Sequence, residues 1–95
     1  MFKISIVDTR GQRRLILEGR LIPPWTTEVE NAWKRAREQL EDRKLIIDLT
    51  NVTLISQDGQ NTLLKLMGDG AKFSCGDVLT KHVVRQLARR WRRKP

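Results

Sequence analysis

The stretch from Leu45 to Met67 constrains the fold more than any other, because a short polar patch there separates two apolar patterns of different period. Residues 45–49 form a near-continuous apolar run, which is typical of a strand buried on both faces. After the polar patch, Leu63, Leu64 and Met67 recur at helical spacing. A buried strand that leads into a helix is the repeating unit of α/β domains, so the stretch predicts that class.

The segment before this stretch predicts a hairpin and a helix. Residues 2–7 and 15–17 are typical of strands, and the turn between them predicts a hairpin whose second strand ends at Gly19. The Pro23-Pro24 pair excludes a helix before residue 24, and Thr27 with Glu30 fits a capping box at the start of one.

The segment after it predicts a short strand at 71–75 and a last helix. Four residues fall on the apolar face of that helix: Leu79, Val83, Leu87 and Trp91. The order strand, strand, helix, strand, helix, strand, helix predicts a single small α/β domain. Its mixed sheet of about four strands would have an N-terminal hairpin and otherwise parallel strands, with about three helices.

Composition and charge narrow the function classes. The residues of the set AVILMFWYC make up 39% of the chain, which is enough for one small core. A lone Cys75 and the lack of any apolar run of about 18 residues lead us to expect a cytoplasmic protein. The net charge of +8 is uneven: residues 1–77 are nearly neutral, whereas residues 78–95 contain seven Lys and Arg and no acid.

The polar patch, residues 56–61, is the first candidate site. In parallel sheets, ligands and switches sit where strands end and helices begin, and the unpaired amides of a helix start favour anions. Ser56 or Asp58 could equally be a plain N-cap with no further function. The residues alone leave both interpretations open.

Two motifs connect this chain with a known family. "LEGRL" followed by a helix, and "LIIDLTNVTLISQDG" followed by a Leu-rich helix and a short strand, resemble the STAS domain. That family includes the anti-sigma factor antagonists and the cytosolic domains of sulphate transporters, and the likeness spans about residues 2–88. It implies a protein-binding domain of bacterial transcription regulation, in which a kinase that is also the anti-sigma factor phosphorylates a serine of the motif.

The motif departs from the family at that serine. Gly59 and Ile55 match the family pattern, but the phosphoacceptor position is Gln57, which has no hydroxyl. Ser56 stands where the family has an acid, and Asp58 stands where it has a second hydroxyl residue. Either the surface binds its partner without phosphorylation, or the phosphoacceptor has moved to Ser56, where Asp58 would repel the phosphate. We favour a surface that is always competent to bind.

We therefore expect a protein-interaction module with no enzyme activity, no metal and no cofactor. The lone His82 forms no metal cluster, and nothing near Cys75 supplies a base. The partner would be an anti-sigma factor, a kinase or another regulatory complex. The predicted partner-binding residues are Ser56, Gln57, Asp58, Gly59, Gln60 and Asn61.

The basic end of the chain supports an alternative function. We place a domain boundary between a STAS-like domain at 1–88 and a basic tail at 89–95. The alternative is a small protein that binds nucleic acid, or an anionic membrane surface, through Arg85, Arg89, Arg90, Trp91, Arg92, Arg93 and Lys94. Solubilising charge at a helix end explains the same residues without any ligand. The family also has a further strand and helix, so we expect an open sheet edge, covered either by a second copy in a homodimer or by a partner.

Overall fold

A computed structural model describes residues 2–92, apart from the side chain of Leu79. Arg93 and Lys94 therefore lie outside the described residues. The elements in chain order are β1 (Phe2–Thr9), β2 (Gln12–Leu21), α1 (Trp25–Ala36), β3 (Lys44–Ile55), α2 (Gln57–Gly68), β4 (Lys72–Ser74) and α3 (Val78–Arg92).

The four strands form one mixed sheet in the order β1-β2-β3-β4. β1 pairs with β2 in an antiparallel hairpin, and β3 and β4 follow in parallel. The predicted α/β class, hairpin, parallel strands and number of helices are confirmed.

The core lies on one face of this sheet. Successive right-handed crossovers that advance in the same direction place their helices on the same side, here α1 and α2. Accordingly Leu15 and Leu17 of β2 and Ile47 of β3 are buried, while Ile16 and Asp48 on the opposite face are only half-buried. The prediction that β3 is buried on both faces is wrong, because both crossovers within residues 2–92 place their helices on the same face.

The core combines this sheet face with the inner sides of the helices. Its buried members are Leu15, Leu17, Leu21, Val29, Ala32, Trp33, Ala36, Leu45, Ile47, Leu49, Val52, Leu63, Leu64, Leu66, Ala71 and Leu87.

The start of α1 differs from the prediction. The helix begins at Trp25, and its N-cap is Pro24, with no side-chain capping bond. The Thr27 amide donates to the Pro24 carbonyl at 3.2 Å, so Thr27 lies inside the first turn. The capping box of Thr27 and Glu30 is wrong, because the helix begins at Trp25, two residues before Thr27, and proline is tolerated at a helix start.

Gly19 also has a different role from the one predicted. β2 continues through it to Leu21, and the register with β3 shifts between Gly19 and Arg20. The φ of +102° at Gly19 suits such a bulge, since side chains disfavour that backbone conformation. Because β2 extends beyond Gly19 to Leu21, the Leu21 carbonyl reaches the start of α2.

The last helix packs beside α2. Leu87 is buried and Val83 packs against the core, as the apolar face predicts, whereas the predicted contact of Leu79 lies outside the described side chains. A Cβ added at Gly68, the last residue of α2, would lie 3.2 Å from Nε1 of Trp91. Gly68 thus leaves room for the indole where α3 ends.

Candidate functional site

All three helices begin at one end of the domain, which we call the helix-start end. β2, β3 and β4 run parallel, so their carboxyl ends lie at the same end of the sheet. α1, α2 and α3 each follow one of these strands. The carboxyl ends of the strands are the usual place for binding sites in α/β sheets. The predicted partner-binding residues lie here, at the start of α2.

Ser56 caps α2 and ties it to the sheet. Its hydroxyl accepts a hydrogen bond from the Gly59 amide at 3.1 Å and donates one to the Leu21 carbonyl at 3.2 Å. Its own amide also donates to the Leu21 carbonyl, at 3.1 Å. The half-buried hydroxyl therefore already has a donor and an acceptor within the protein. A phosphate at this position would remove the cap and break the contact with β2.

Gly59 is buried and serves packing. A Cβ at this position would lie 2.5 Å from the Leu21 carbonyl oxygen and 3.1 Å from Cγ2 of Ile55. Only glycine lets the first turn of α2 approach the end of β2 this closely. Gly59 thus shapes the predicted surface from beneath and presents no side chain to a partner.

The exposed part of the predicted surface consists of Gln57, Asp58 and Asn61. The Gln57 amide donates to Oδ1 of Asn61 at 3.2 Å, one turn further along α2. Gln60 is half-buried and faces α3 instead. The surface is therefore short, polar and carries one negative charge.

Exposed apolar side chains lie at the same end, and the sequence reasoning missed them. Trp25, Leu54 and Val78 are 38%, 47% and 85% exposed. They stand at the start of α1, near the end of β3 and at the start of α3. The spacing of Trp25 from Val29 and Trp33 is that of a core residue, and we expected it in the core on that ground, but it stacks on Phe2 at the rim, with ring centroids 6.2 Å apart. Trp25 and Val78 are the first residues of α1 and α3, and their position beside the predicted helices was the signal that could have identified them.

The basic residues at the end of the chain belong mostly to α3. Arg85, Arg89, Arg90 and Arg92 are exposed, and α3 continues through the boundary that we placed after Ala88. Trp91 is 46% exposed and has one edge near Gly68.

The structure brings the two predicted sites together through Gln60. A groove of about 370 Å³ between α2 and α3 is lined by Gln60, Gln86, Arg89 and Arg90. Gln60 also lines a second groove, of about 250 Å³, together with Leu54, Ile55, Thr80 and Val83 among other residues. The helix-start end and the basic face of α3 are therefore neighbouring surfaces.

The open face of the sheet carries a polar cluster that the sequence reasoning did not identify. Arg14 donates to Oδ2 of Asp48 at 3.0 Å and to the Ser74 hydroxyl at 3.3 Å. Burial raises the pKa of the Asp48 carboxyl, but hydrogen bonds from Thr50 and Arg14 outweigh it, so the pKa lies below its usual value. Because these contacts link three neighbouring strands, the cluster stabilises the sheet.

The environment of Cys75 disfavours its reactive form. Burial raises the pKa of the Cys75 thiol, which opposes formation of the nucleophilic thiolate. His82 is exposed on α3. Within residues 2–92, no cluster of His, Cys, Asp or Glu could hold a metal ion.

Comparison with known proteins leaves the family a prediction. No family model matches the chain, and no curated protein matches it significantly. The resemblance to STAS domains therefore rests on the two quoted motifs. None of the helices within residues 2–92 is long and apolar enough to cross a membrane.

Proposed function

We propose that this chain is a non-enzymatic protein-interaction module of bacterial regulation that docks its partner on the helix-start end. One observation carries the proposal: exposed apolar and short polar side chains occur together there. Three of the six large apolar side chains that are exposed in the described part, Trp25, Leu54 and Val78, belong to this end. Protein interfaces combine apolar anchors with a polar rim, and Gln57 and Asn61 supply polar groups.

Docking on this surface does not depend on a phosphate. Gln57 has no hydroxyl to accept one, and the Ser56 hydroxyl is engaged with Leu21 and Gly59. We therefore expect peptides that cover residues 55–62 to carry no phosphate when the protein is isolated from its own cell. Phosphopeptide mass spectrometry tests this, and phosphate on Ser56 would contradict it.

The resemblance suggests the class of partner. In line with the anti-sigma factor antagonists, it would be an anti-sigma factor, a kinase or another regulatory complex, in the cytoplasm. A homodimer that covers a sheet edge stays a prediction. β4 has only three residues and carries the exposed Lys72, so β1 is the longer edge for a second copy. Light scattering at high micromolar concentration tests it, and a monomer would count against it.

The experiment that tests the docking surface uses two matched pairs of variants. Asn61→Arg changes the exposed surface of α2, and Asn31→Arg makes the same change on the exposed side of α1. Val78→Asp places a charge at the helix-start end, and Val7→Asp places the same charge on β1. Gly59 is a poor probe, because its substitution would displace α2 from β2.

Each variant is used to capture partners from native lysate, and the captured regulator is then purified and titrated by calorimetry. We expect Asn61→Arg and Val78→Asp each to weaken binding at least tenfold, the loss that corresponds to about 1.4 kcal/mol. Asn31→Arg and Val7→Asp should bind like the unchanged protein. Equal binding by all four variants would refute docking at this end.

A further inference from the structure

The solvent side of α3 carries an unbroken row of cations. Lys81, Arg85, Arg89 and Arg92 follow one another at intervals of four, four and three residues, so they share one side of the helix. All four are exposed. At about 1.5 Å per residue the row is roughly 16 Å long, with a positive charge about every 6 Å. We call these four residues the cationic row.

The arginines of this row are not neutralised within the described part of the protein. In the described part outside α3, five basic residues pair with acids, among them Arg13 with Asp8 and Lys65 with Glu30, whereas others such as Arg10 do not. In the row itself, Arg85, Arg89 and Arg92 form no ion pair among residues 2–92, and α3 contains no acid. Like charges one turn apart destabilise a helix by a few tenths of a kcal/mol per pair, so an anion along the row would stabilise α3.

A polar groove flanks the row on the side of α2. Arg89 and Arg90 form one wall, and the side-chain amides of Gln60 and Gln86 complete it. Guanidinium groups and amides are the usual donors to phosphate oxygens, and arginine can donate two parallel hydrogen bonds to one phosphate. The groove thus places further hydrogen-bond donors beside the cationic row.

The packing of α3 decides which kind of anion fits. A helix that lies in a membrane surface inserts its apolar side, but Val83 and Leu87 already pack against the core. A protein partner would need apolar anchors at the centre of the contact, whereas the exposed apolar side chains of α3, Val78 and Trp91, lie near its two ends. What remains is a polyanion that binds mainly through charge and the release of counterions.

We propose that α3 binds the phosphate backbone of a nucleic acid, independently of its sequence, through the cationic row and the adjoining groove. Phosphates on one strand repeat about every 3.4 Å along the axis, so a row of this length spans roughly five nucleotides. This activity is separate from docking at the helix-start end, although the two surfaces adjoin at Gln60.

The test measures binding and its salt dependence. Fluorescence anisotropy with 20-nucleotide probes of single-stranded DNA, duplex DNA and RNA, at 50 to 200 mM NaCl, identifies the preferred form. If the four residues of the row and Arg90 of the groove each contact one phosphate of duplex DNA, the slope of log K against log salt is about −4.5. Affinity for the duplex then falls roughly 500-fold across that range.

Two triple variants of equal charge locate the contact. Arg85→Gln, Arg89→Gln and Arg92→Gln remove three charges from the row and leave Lys81 and Arg90, which should reduce the slope on duplex DNA to about −1.8. The control replaces Arg10, Arg20 and Arg35 by Gln; these are exposed residues outside α3 that form no ion pair within residues 2–92. The control should keep a slope near −4.5, and circular dichroism should show both variants folded.

Several outcomes would overturn the proposal. One is no binding of any probe at 50 mM salt, and another is equal weakening by both triple variants, which would make net charge the cause. Tighter binding to vesicles that contain phosphatidylserine, or to poly-glutamate, would assign the row to membranes or to acidic proteins instead. Binding that survives the row substitutions would place the contact elsewhere.

Discussion

Replacing Gly59 by alanine should destabilise the protein, although alanine is the better helix former. Within a helix, Gly→Ala ordinarily stabilises by up to about 1 kcal/mol. Here the added Cβ would lie 2.5 Å from the Leu21 carbonyl oxygen, whereas carbon and oxygen atoms normally stay about 3.3 Å or more apart. The first turn of α2 must therefore move away from β2.

The magnitude follows from what that movement disturbs. Overpacking of this kind costs about 1–3 kcal/mol. The same carbonyl accepts hydrogen bonds from the amide and the hydroxyl of Ser56, at 3.1 and 3.2 Å, and a shift of several tenths of an ångström weakens both. After the gain in helix propensity is subtracted, we expect a net loss of about 2 kcal/mol. For a domain of this size, that lowers Tm by roughly 10 °C.

Gly68→Ala, at the other end of α2, is the matched control. Its new Cβ would meet only the Trp91 indole, at 3.2 Å, and a side chain near a helix end can adjust. We expect a change within about 0.5 kcal/mol. Urea unfolding followed by circular dichroism gives both values. The packing argument would be refuted if Gly59→Ala were as stable as the unchanged protein, or if both variants lost the same stability.

Three further predictions concern single side chains. Ser56→Ala should lower the free energy of unfolding by about 1 kcal/mol through loss of the cap. A double-mutant cycle with Gly59→Ala should be non-additive, because both substitutions act through the Leu21 carbonyl. Additive effects in urea unfolding would contradict this. The pKa of Asp48 is lowered in the folded state, so its contribution to stability is present above about pH 4 and is lost as pH falls through the folded pKa. Asp48→Asn should therefore be less stable at pH 7 and flatten the dependence of Tm on pH below 4, whereas an unchanged pH profile would exclude this role. Because burial raises the pKa of Cys75, iodoacetamide at pH 7.5 should modify it more slowly in the folded than in the urea-unfolded chain, and equal rates would count against that environment.

The sequence alone determined the class and order of the elements. Alternating and helical periods are local properties of the chain, so the hairpin, the parallel strands and the three helices could be predicted from them. The position of the polar patch at the start of α2 followed in the same way. Charge counts likewise showed that the basic character belongs to residues 78–95.

Only the tertiary structure decided which faces of these elements are buried and which side chains stay exposed. The apolar run at residues 45–49 is compatible with a strand that is buried on one face or on both. The side on which the crossover helices pack decides between the two. Trp25 has the spacing of a core residue, yet it lies at the rim, because exposure depends on what the neighbouring elements cover. The sequence does not show which of Gly59 and Gln57 is exposed. In the fold, Gly59 packs against the carbonyl of Leu21, which lies 38 residues earlier in the chain, whereas Gln57 stays on the surface. Contacts between residues so far apart in the chain leave no periodic signal, and this is why the exposed surface had to come from the fold.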